Sequence, residues 1–318
     1  MKRVLVAPLE WGLGHASRCI PLIYTLLQRG DEVLLAATGN ARSLLAQEFP
    51  QCRLVDLAPS FSMRYSQGRS QVWAVIRSLP RLVFCSIREH RDIRRIVRQY
   101  QIDEVISDNR FGLWCKDCRS IYITHQLQIP LPRRFEWLEP LAAFLHRKVV
   151  AQYDVCWVPD YADVCKSLAG RLSHPRQTPA NVTYIGPLSR FEKIEGRQGG
   201  GVLLLLSGPE PQRSLFERDL IEKYGHSNQT VRLVRGTKSA PALDKSATGV
   251  IEVVDMPATA ELSEWIAAAD CIEARSGYST AMDLHVAGKL PVAHLTPTPG
   301  QPEQVYLSQY LKQKFHTL

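Results

Sequence analysis

Short runs of consecutive apolar residues alternate with helix-length segments along this chain, and the alternation starts twice. The first run spans residues 2–8 and is built on Val4, Leu5 and Val6. A glycine-bearing loop, Glu10-Trp11-Gly12-Leu13-Gly14-His15, separates it from a helical stretch that stops at Gly30. The second start is the most apolar run of all, residues 202–206, followed by Ser207-Gly208-Pro209-Glu210-Pro211 and a helix to about residue 224. A strand with no polar alternation is buried on both faces, as in a parallel sheet covered by helices on both sides. Further runs of this kind lie at 31–37, 53–57, 104–107, 121–124, 155–158 and 182–185, then at 231–234, 251–254, 271–273 and 290–294. The pattern predicts an α/β chain of two doubly wound, Rossmann-like domains, with a cleft between them. A polar, glycine-rich stretch at 192–201 separates the halves, and the boundary is placed near 187, giving domains 1–187 and 188–318. A length of 318 residues allows each half its own core.

Composition narrows the partners. With 45% hydrophobic and 22% charged residues the chain is not of the disordered class. No stretch approaches the ~20 apolar residues of a membrane-spanning helix, and the first apolar run is too short for a signal peptide. The eight cysteines (Cys19, Cys52, Cys85, Cys115, Cys118, Cys156, Cys165 and Cys271) are scattered, mostly within apolar runs. They read as reduced thiols, so the expected location is cytoplasmic. Cys115 and Cys118 form a lone CxxC with no second pair to complete a zinc site. The net charge of +8 favours anionic partners.

Ligands of open α/β sheets bind beyond the carboxyl ends of the strands, so the loops after the strands carry the candidate site. In the first, Gly12 and Gly14 permit close backbone approach and His15 opens the helix; Arg18 stands where a dinucleotide fingerprint requires a small residue, which disfavours a nicotinamide cofactor. In the second half Arg275-Ser276-Gly277-Tyr278-Ser279-Thr280 follows a strand and opens a helix. Its amides and hydroxyls suit a diphosphate, with Arg275 as a nearby cation. Asp283, one turn on, suits the two hydroxyls of a ribose.

The segment from Ala268 to Asp283, followed by Ala287-Gly288-Lys289-Leu290-Pro291 and Gly300-Gln301-Pro302-Glu303-Gln304, resembles the donor-binding signature of GT-B glycosyltransferases. It looks most like the branch of the bacterial N-acetylglucosaminyltransferase that makes the lipid-linked disaccharide of peptidoglycan. The Gly-x-Gly-His loop is similar too. The resemblance implies a nucleotide-sugar donor, UDP-linked by preference, held by the second domain while the first serves the acceptor. Asp283 falls at the ribose position, Glu303 and Gln304 at donor-sugar positions, and Ser207 with Gly208 at a phosphate loop from which Pro209 and Pro211 depart. Gly12, Gly14 and Arg18 fall on an acceptor or phosphate loop. The implied reaction is inverting sugar transfer to an acceptor left open, a lipid-linked one among the options, with no metal ion and no cofactor. His15 is the candidate base, with Asp108 and His125 as alternatives or partners.

Two further classes share these features. A nucleotide-sugar hydrolase of similar fold also begins Gly-x-Gly-His-x-x-Arg, matched here by Gly12, Gly14, His15 and Arg18. A non-catalytic nucleotide-sugar-binding protein would need the same donor loops. Between Arg77 and Lys148 stand fourteen Lys and Arg against eight Asp and Glu, most of the net surplus. On the helix around 82–99, Arg88, Arg91, Arg95 and Arg98 are expected on one face, opposite Ile87, Ile93 and Val97. Phe135, Trp137, Leu138, Leu141, Phe144 and Leu145 lie between Arg133-Arg134 and Arg147-Lys148, as in a helix resting on an anionic membrane surface. No nucleic-acid-binding module is present, so nucleic acid is not an expected partner.

Overall fold

The structure, a computed structural model, describes residues 1–10, 13–57, 71–193, 199–237 and 249–318. The chain forms two compact units, and along the sequence the division falls between Leu188 and Ser189.

In the first unit the described strands are β1 (Arg3–Pro8), β2 (Glu32–Leu35), β3 (Arg53–Leu54), β4 (Glu104–Asp108), β5 (Arg119–Ile123), β6 (Val155–Val158) and β7 (Val182–Tyr184). They pair in parallel in the order β3-β2-β1-β4-β5-β6-β7. The helices are α1 (Gly14–Gln28), α2 (Gly39–Glu48), α3 (Gln71–Tyr100) and α4 (Glu139–Val150), the last preceded by a 3₁₀ turn, Arg133–Leu138. Since β1 lies between β2 and β4 with helices above and below, Val4, Leu5, Val6 and Ala7 are wholly inaccessible. Leu5, Leu34 and Val105 from the sheet pack with Ile93, Ile96 and Val97 of α3 in one core. Each such aliphatic side chain contributes about 1.5–3 kcal/mol on burial. The strand order runs outward from β1 and then reverses to β4, so the carboxyl ends of these two strands flank a switch point.

The second unit repeats the plan with β8 (Val202–Leu205), β9 (Val231–Val234), β10 (Ile251–Val254), β11 (Cys271–Arg275) and β12 (Ala293–Thr296), all parallel, in the order β10-β9-β8-β11-β12. Its described helices are α5 (Gln212–Tyr224), α6 (Thr259–Ala268), α7 (Tyr278–Val286) and α8 (Pro302–Phe315). The chain enters β8 through Gly201, whose φ is +71°; a Cβ there would lie 2.2 Å from the Thr230 carbonyl oxygen. Only glycine fits both demands.

Two expectations are corrected. The last strand, expected over 290–294, starts at Ala293, because Leu290–Val292 coils into a 3₁₀ turn. Pro291 has no N–H for a strand ladder. On α3, Ile87 is not on the buried face but is 49% exposed. It lies six residues before Ile93, which turns it about 120° around the helix from the Ile93, Ile96 and Val97 stripe and sets it beside the exposed arginines. Among the described residues no helix is long and apolar enough to cross a membrane.

Candidate active site

Parallel registry brings the ends of β1, β4 and β5 level, since Pro8 pairs with Asp108 and Asp108 with Ile123. The Leu9 amide donates to the Asp108 carbonyl at 3.0 Å, and the Asn109 amide to the Ile123 carbonyl at 3.0 Å. Asn109 is left-handed, with φ 56°, a conformation asparagine tolerates better than most residues. Its side-chain carbonyl accepts from the Tyr122 hydroxyl at 2.9 Å. This turn fixes Asp108 as the last strand residue, facing the first turn of α1. His15 and Arg18 are three residues apart on that helix and so share its face.

The sequence-selected residues His15, Arg18, Asp108 and His125 meet here. Arg18 donates from Nε to Asp108 Oδ2 at 2.7 Å and from Nη2 to Asp108 Oδ1. His15 Nδ1 stands 3.2 Å from Asp108 Oδ1 and 3.0 Å from Arg18 Nη2. His125 Nδ1 lies 3.3 Å from Arg18 Nη1. Arginine has no lone pair to offer, so His125 accepts there and carries its proton on Nε2. Burial by itself would raise the Asp108 carboxyl, but the Arg18 guanidinium and then His15 outweigh it and hold the group well below the ordinary carboxylate range. Cys19, 3.7 Å from Asp108 Oδ2, is pushed well up by burial and then by that carboxylate, so it remains a thiol.

Exposure separates the roles. The Asp108 side chain is 0% exposed and that of Arg18 1%, whereas His15 keeps 13%. His15 Nδ1 thus faces both an acceptor, Asp108 Oδ1, and a donor, Arg18 Nη2; in the tautomer with its proton on Nδ1 it donates to Asp108 and leaves Nε2 with a lone pair for an incoming proton. Asp108, ionised and held by Arg18, is a poor proton acceptor and orients His15. Arg18, expected on an acceptor or phosphate loop, is buried and makes two bonds to Asp108 inside the unit. Gly14 is the first residue of α1, and Gly12 lies outside the described residues.

In the second unit the donor candidates divide. Gly277 is the N-cap of α7 and brings no side chain to the first-turn amides. A Cβ there would meet nothing closer than Thr280 Oγ1 at 3.9 Å, so a ligand can approach the helix start. Ser279 and Thr280, half-buried, stand on that first turn. Asp283, half-buried, accepts from the Ser189 hydroxyl at 2.7 Å. Burial raises its carboxyl to about 6, against the opposing pull of Arg190 and Ser189. Sequence reasoning missed Ser189, whose link to Asp283 spans 94 residues and leaves no local signal.

Other donor candidates are otherwise engaged. The Arg275 guanidinium is buried, donates to the Pro297 carbonyl at 3.0 Å and lies 3.9 Å from the centre of the Phe216 ring. The expected diphosphate cation is thus stacked within the unit. The Ser276 hydroxyl donates to the Gln304 carbonyl at 2.9 Å. Gln304 Oε1 accepts from the Thr298 amide at 2.8 Å and its Nε2 donates to Gln301 at 2.7 Å. Its amide closes the loop before α8, next to the half-buried Glu303. Gly208, φ +98°, keeps one side open. However, Glu210 accepts from the Ser214 amide at 3.2 Å and from Arg213 Nε at 2.7 Å. A carboxylate, itself paired with Arg213, thus occupies the start of α5 beyond Ser207 and Gly208.

Among the described residues one trio of metal-donor side chains comes together, Cys271, Glu273 and His294, two to four positions before the strand ends bearing Arg275 and Thr296. Cys115 and Cys118 pack against the core of the first unit. Burial and then Cys115 push the Cys118 thiol up to about 12, so it is unreactive as it stands.

No family model matches the chain. It is 24% identical over 319 residues to an uncharacterized glycosyltransferase of Methanosarcina acetivorans, covering 92% of this chain and 79% of that one. A second uncharacterized glycosyltransferase, from Methanosarcina mazei, is 23% identical over 297 residues, covering 86% and 74%. Among solved structures it is similar to the spinosyn forosaminyltransferase SpnP (TM-score 0.55, 14% identity, 99% of this chain and 95% of that one). It is also similar to MurG of Acinetobacter baumannii (TM-score 0.51, 14% identity, 98% and 83%). A third is the glycosyltransferase SsfS6 of Streptomyces sp. SF2575, solved with thymidine diphosphate (TM-score 0.55, 16% identity, 98% and 86%). The fold is that of the GT-B glycosyltransferases, and the resemblance read from the sequence is borne out.

Proposed function

We propose that this chain is a glycosyltransferase moving a sugar from a nucleoside-diphosphate donor to an acceptor hydroxyl, with His15 as the general base. The observation that carries the reading is His15 itself, partly exposed at the strand ends with Nδ1 against a fully buried, ionised carboxylate. In the inverting reaction Nε2 takes the acceptor's proton and the acceptor oxygen attacks the anomeric carbon. The bond from that carbon to the diphosphate breaks, and the electron pair leaves with the diphosphate. Asp108 orients His15, and Arg18 holds Asp108 in place. The unit 189–318 serves the donor, with the α7 amides for the diphosphate and Asp283 for the ribose; the unit 1–188 serves the acceptor. These residues perform each step without a metal ion. UDP is the preferred nucleotide on the sequence resemblance, and thymidine diphosphate, present with SsfS6, is its competitor in the test.

The reading extends to a peripheral position on the cytoplasmic face of a membrane. Helix α4 turns Glu139, Ala143, His146 and Val150 inward. Leu141, Phe144 and Leu145 are about half exposed and Trp137 is 74% exposed. Arg147 and Lys148 stand over the Phe144 ring at 6.0 and 5.4 Å. Apolar rings edged by cations suit an anionic lipid surface and a lipid-linked acceptor.

Calorimetry with UDP and thymidine diphosphate, followed by diphosphate release from the matching sugar donors with and without lipid-linked acceptors, tests the proposal. Acceptor-dependent release supports a transferase. Release with water alone makes the chain a hydrolase, and binding without turnover makes it a binding protein.

A further inference from the structure

The second sheet carries a group of side chains that sugar transfer does not use. Glu273 and His294 are direct cross-strand partners in the β11–β12 pair. Cys271, two residues before Glu273, projects from the same face of β11 because successive strand side chains alternate. The three donor atoms lie within 4.8 Å of one another, Glu273 buried and the other two partly so. A thiol, a carboxylate and an imidazole at this spacing are the donor types of a tetrahedral zinc-class site, whose fourth position is left to water.

A cation already occupies the carboxylate. Lys223, from the last turn of α5, donates to Glu273 Oε1 at 2.6 Å, and the Tyr224 hydroxyl donates to the same oxygen at 2.7 Å. The lysine side chain is 55% exposed, so its ammonium can move into water without a desolvation cost.

We infer that Cys271, Glu273 and His294 form a binding site for a divalent transition metal of the zinc class, gated by Lys223. On binding, a sulfur–metal bond forms and the Cys271 proton passes to solvent. Glu273 exchanges the Lys223 ammonium for the metal, and His294 coordinates as neutral imidazole. The site ties β11 and β12 together below the strand ends proposed for the donor, so its role is structural.

The test is titration of the full chain, free of any polyhistidine tag, with Co²⁺ as a spectroscopic stand-in for Zn²⁺. The expected result is a one-to-one complex with a thiolate-to-cobalt charge-transfer band and a rise in Tm with one equivalent of Zn²⁺. Lys223→Met should tighten the apparent affinity by about tenfold or more, since it removes a competing charge-assisted hydrogen bond. Cys271→Ser and His294→Gln should each abolish the band, while the double variant Cys115→Ser, Cys118→Ser should retain it. If Cys271→Ser fails to fold, His294→Gln decides alone. Absence of a band overturns the inference, as does a band that survives His294→Gln or disappears with the Cys115 and Cys118 pair. Diphosphate release assays on the same variants distinguish loss of this site from failure of the glycosyltransferase reading.

Discussion

Arg18 and Asp108, 90 residues apart in the chain, form a fully buried ion pair in which the guanidinium engages both carboxylate oxygens. The pair decides which of the neighbouring groups can act. It engages both Asp108 oxygens and the Arg18 guanidinium inside the unit, leaving His15 as the partly exposed member of the group. Breaking a buried pair on one side strands a charge in a medium of low dielectric constant. Arg18→Met should therefore cost about 3–5 kcal/mol of stability in urea unfolding. The double variant Arg18→Met, Asp108→Leu should recover much of that loss; equal stability of wild type and Arg18→Met would remove the pair from the stabilising core.

His15→Ala should lower turnover by about 10²–10⁴-fold, the usual worth of a general base, and leave donor affinity nearly unchanged. Steady-state kinetics beside calorimetry separates the two. Loss of donor binding in a folded variant would move His15 to the donor side.

Asp283→Ala should weaken uridine diphosphate binding by about 1.5–3 kcal/mol, as for hydrogen bonds to a charged group. The same residue sets a pH dependence. Its folded pKa, about 6, is above that of the unfolded chain. Between the unfolded value and about 6 the folded state holds the extra proton, so the stability contribution of Asp283 falls as pH rises through this window. The ionised form is the better acceptor for ribose hydroxyls, so affinity should rise through pH 6. Asp283→Asn should flatten both curves.

Binding to vesicles of anionic lipid should weaken as salt rises, because the cations edging α4 are exposed and screened. Trp137→Glu should weaken it further, while neutral vesicles should bind poorly. Cosedimentation at two salt concentrations checks this, and salt-independent binding would point to apolar contact alone.

The sequence by itself marked most strands of both sheets. Strands buried on two faces must be apolar throughout, so Val4 to Ala7 and Val202 to Leu205 are legible one residue at a time, and the glycines after them mark the turns into helices. It also pointed to His15, Asp108 and His125, because ligands of an open α/β sheet bind beyond the carboxyl ends of its strands, where these residues stand. Tertiary structure alone decided what each group is free to do. Whether Arg18 faces a phosphate or Asp108, whether Arg275 is a ligand cation or a stacked core cation on Phe216, and whether Gln304 reaches a sugar or closes its own loop depend on partners tens of residues away. Ile87 and Ser189 make the same point at opposite extremes. A helix rotation of about 120° exposes the first, and a 94-residue closure brings the second to Asp283. Local sequence encodes period and propensity, but a charge or hydroxyl finds its partner only when the chain is packed, because desolvation makes an unpaired polar group inside costly.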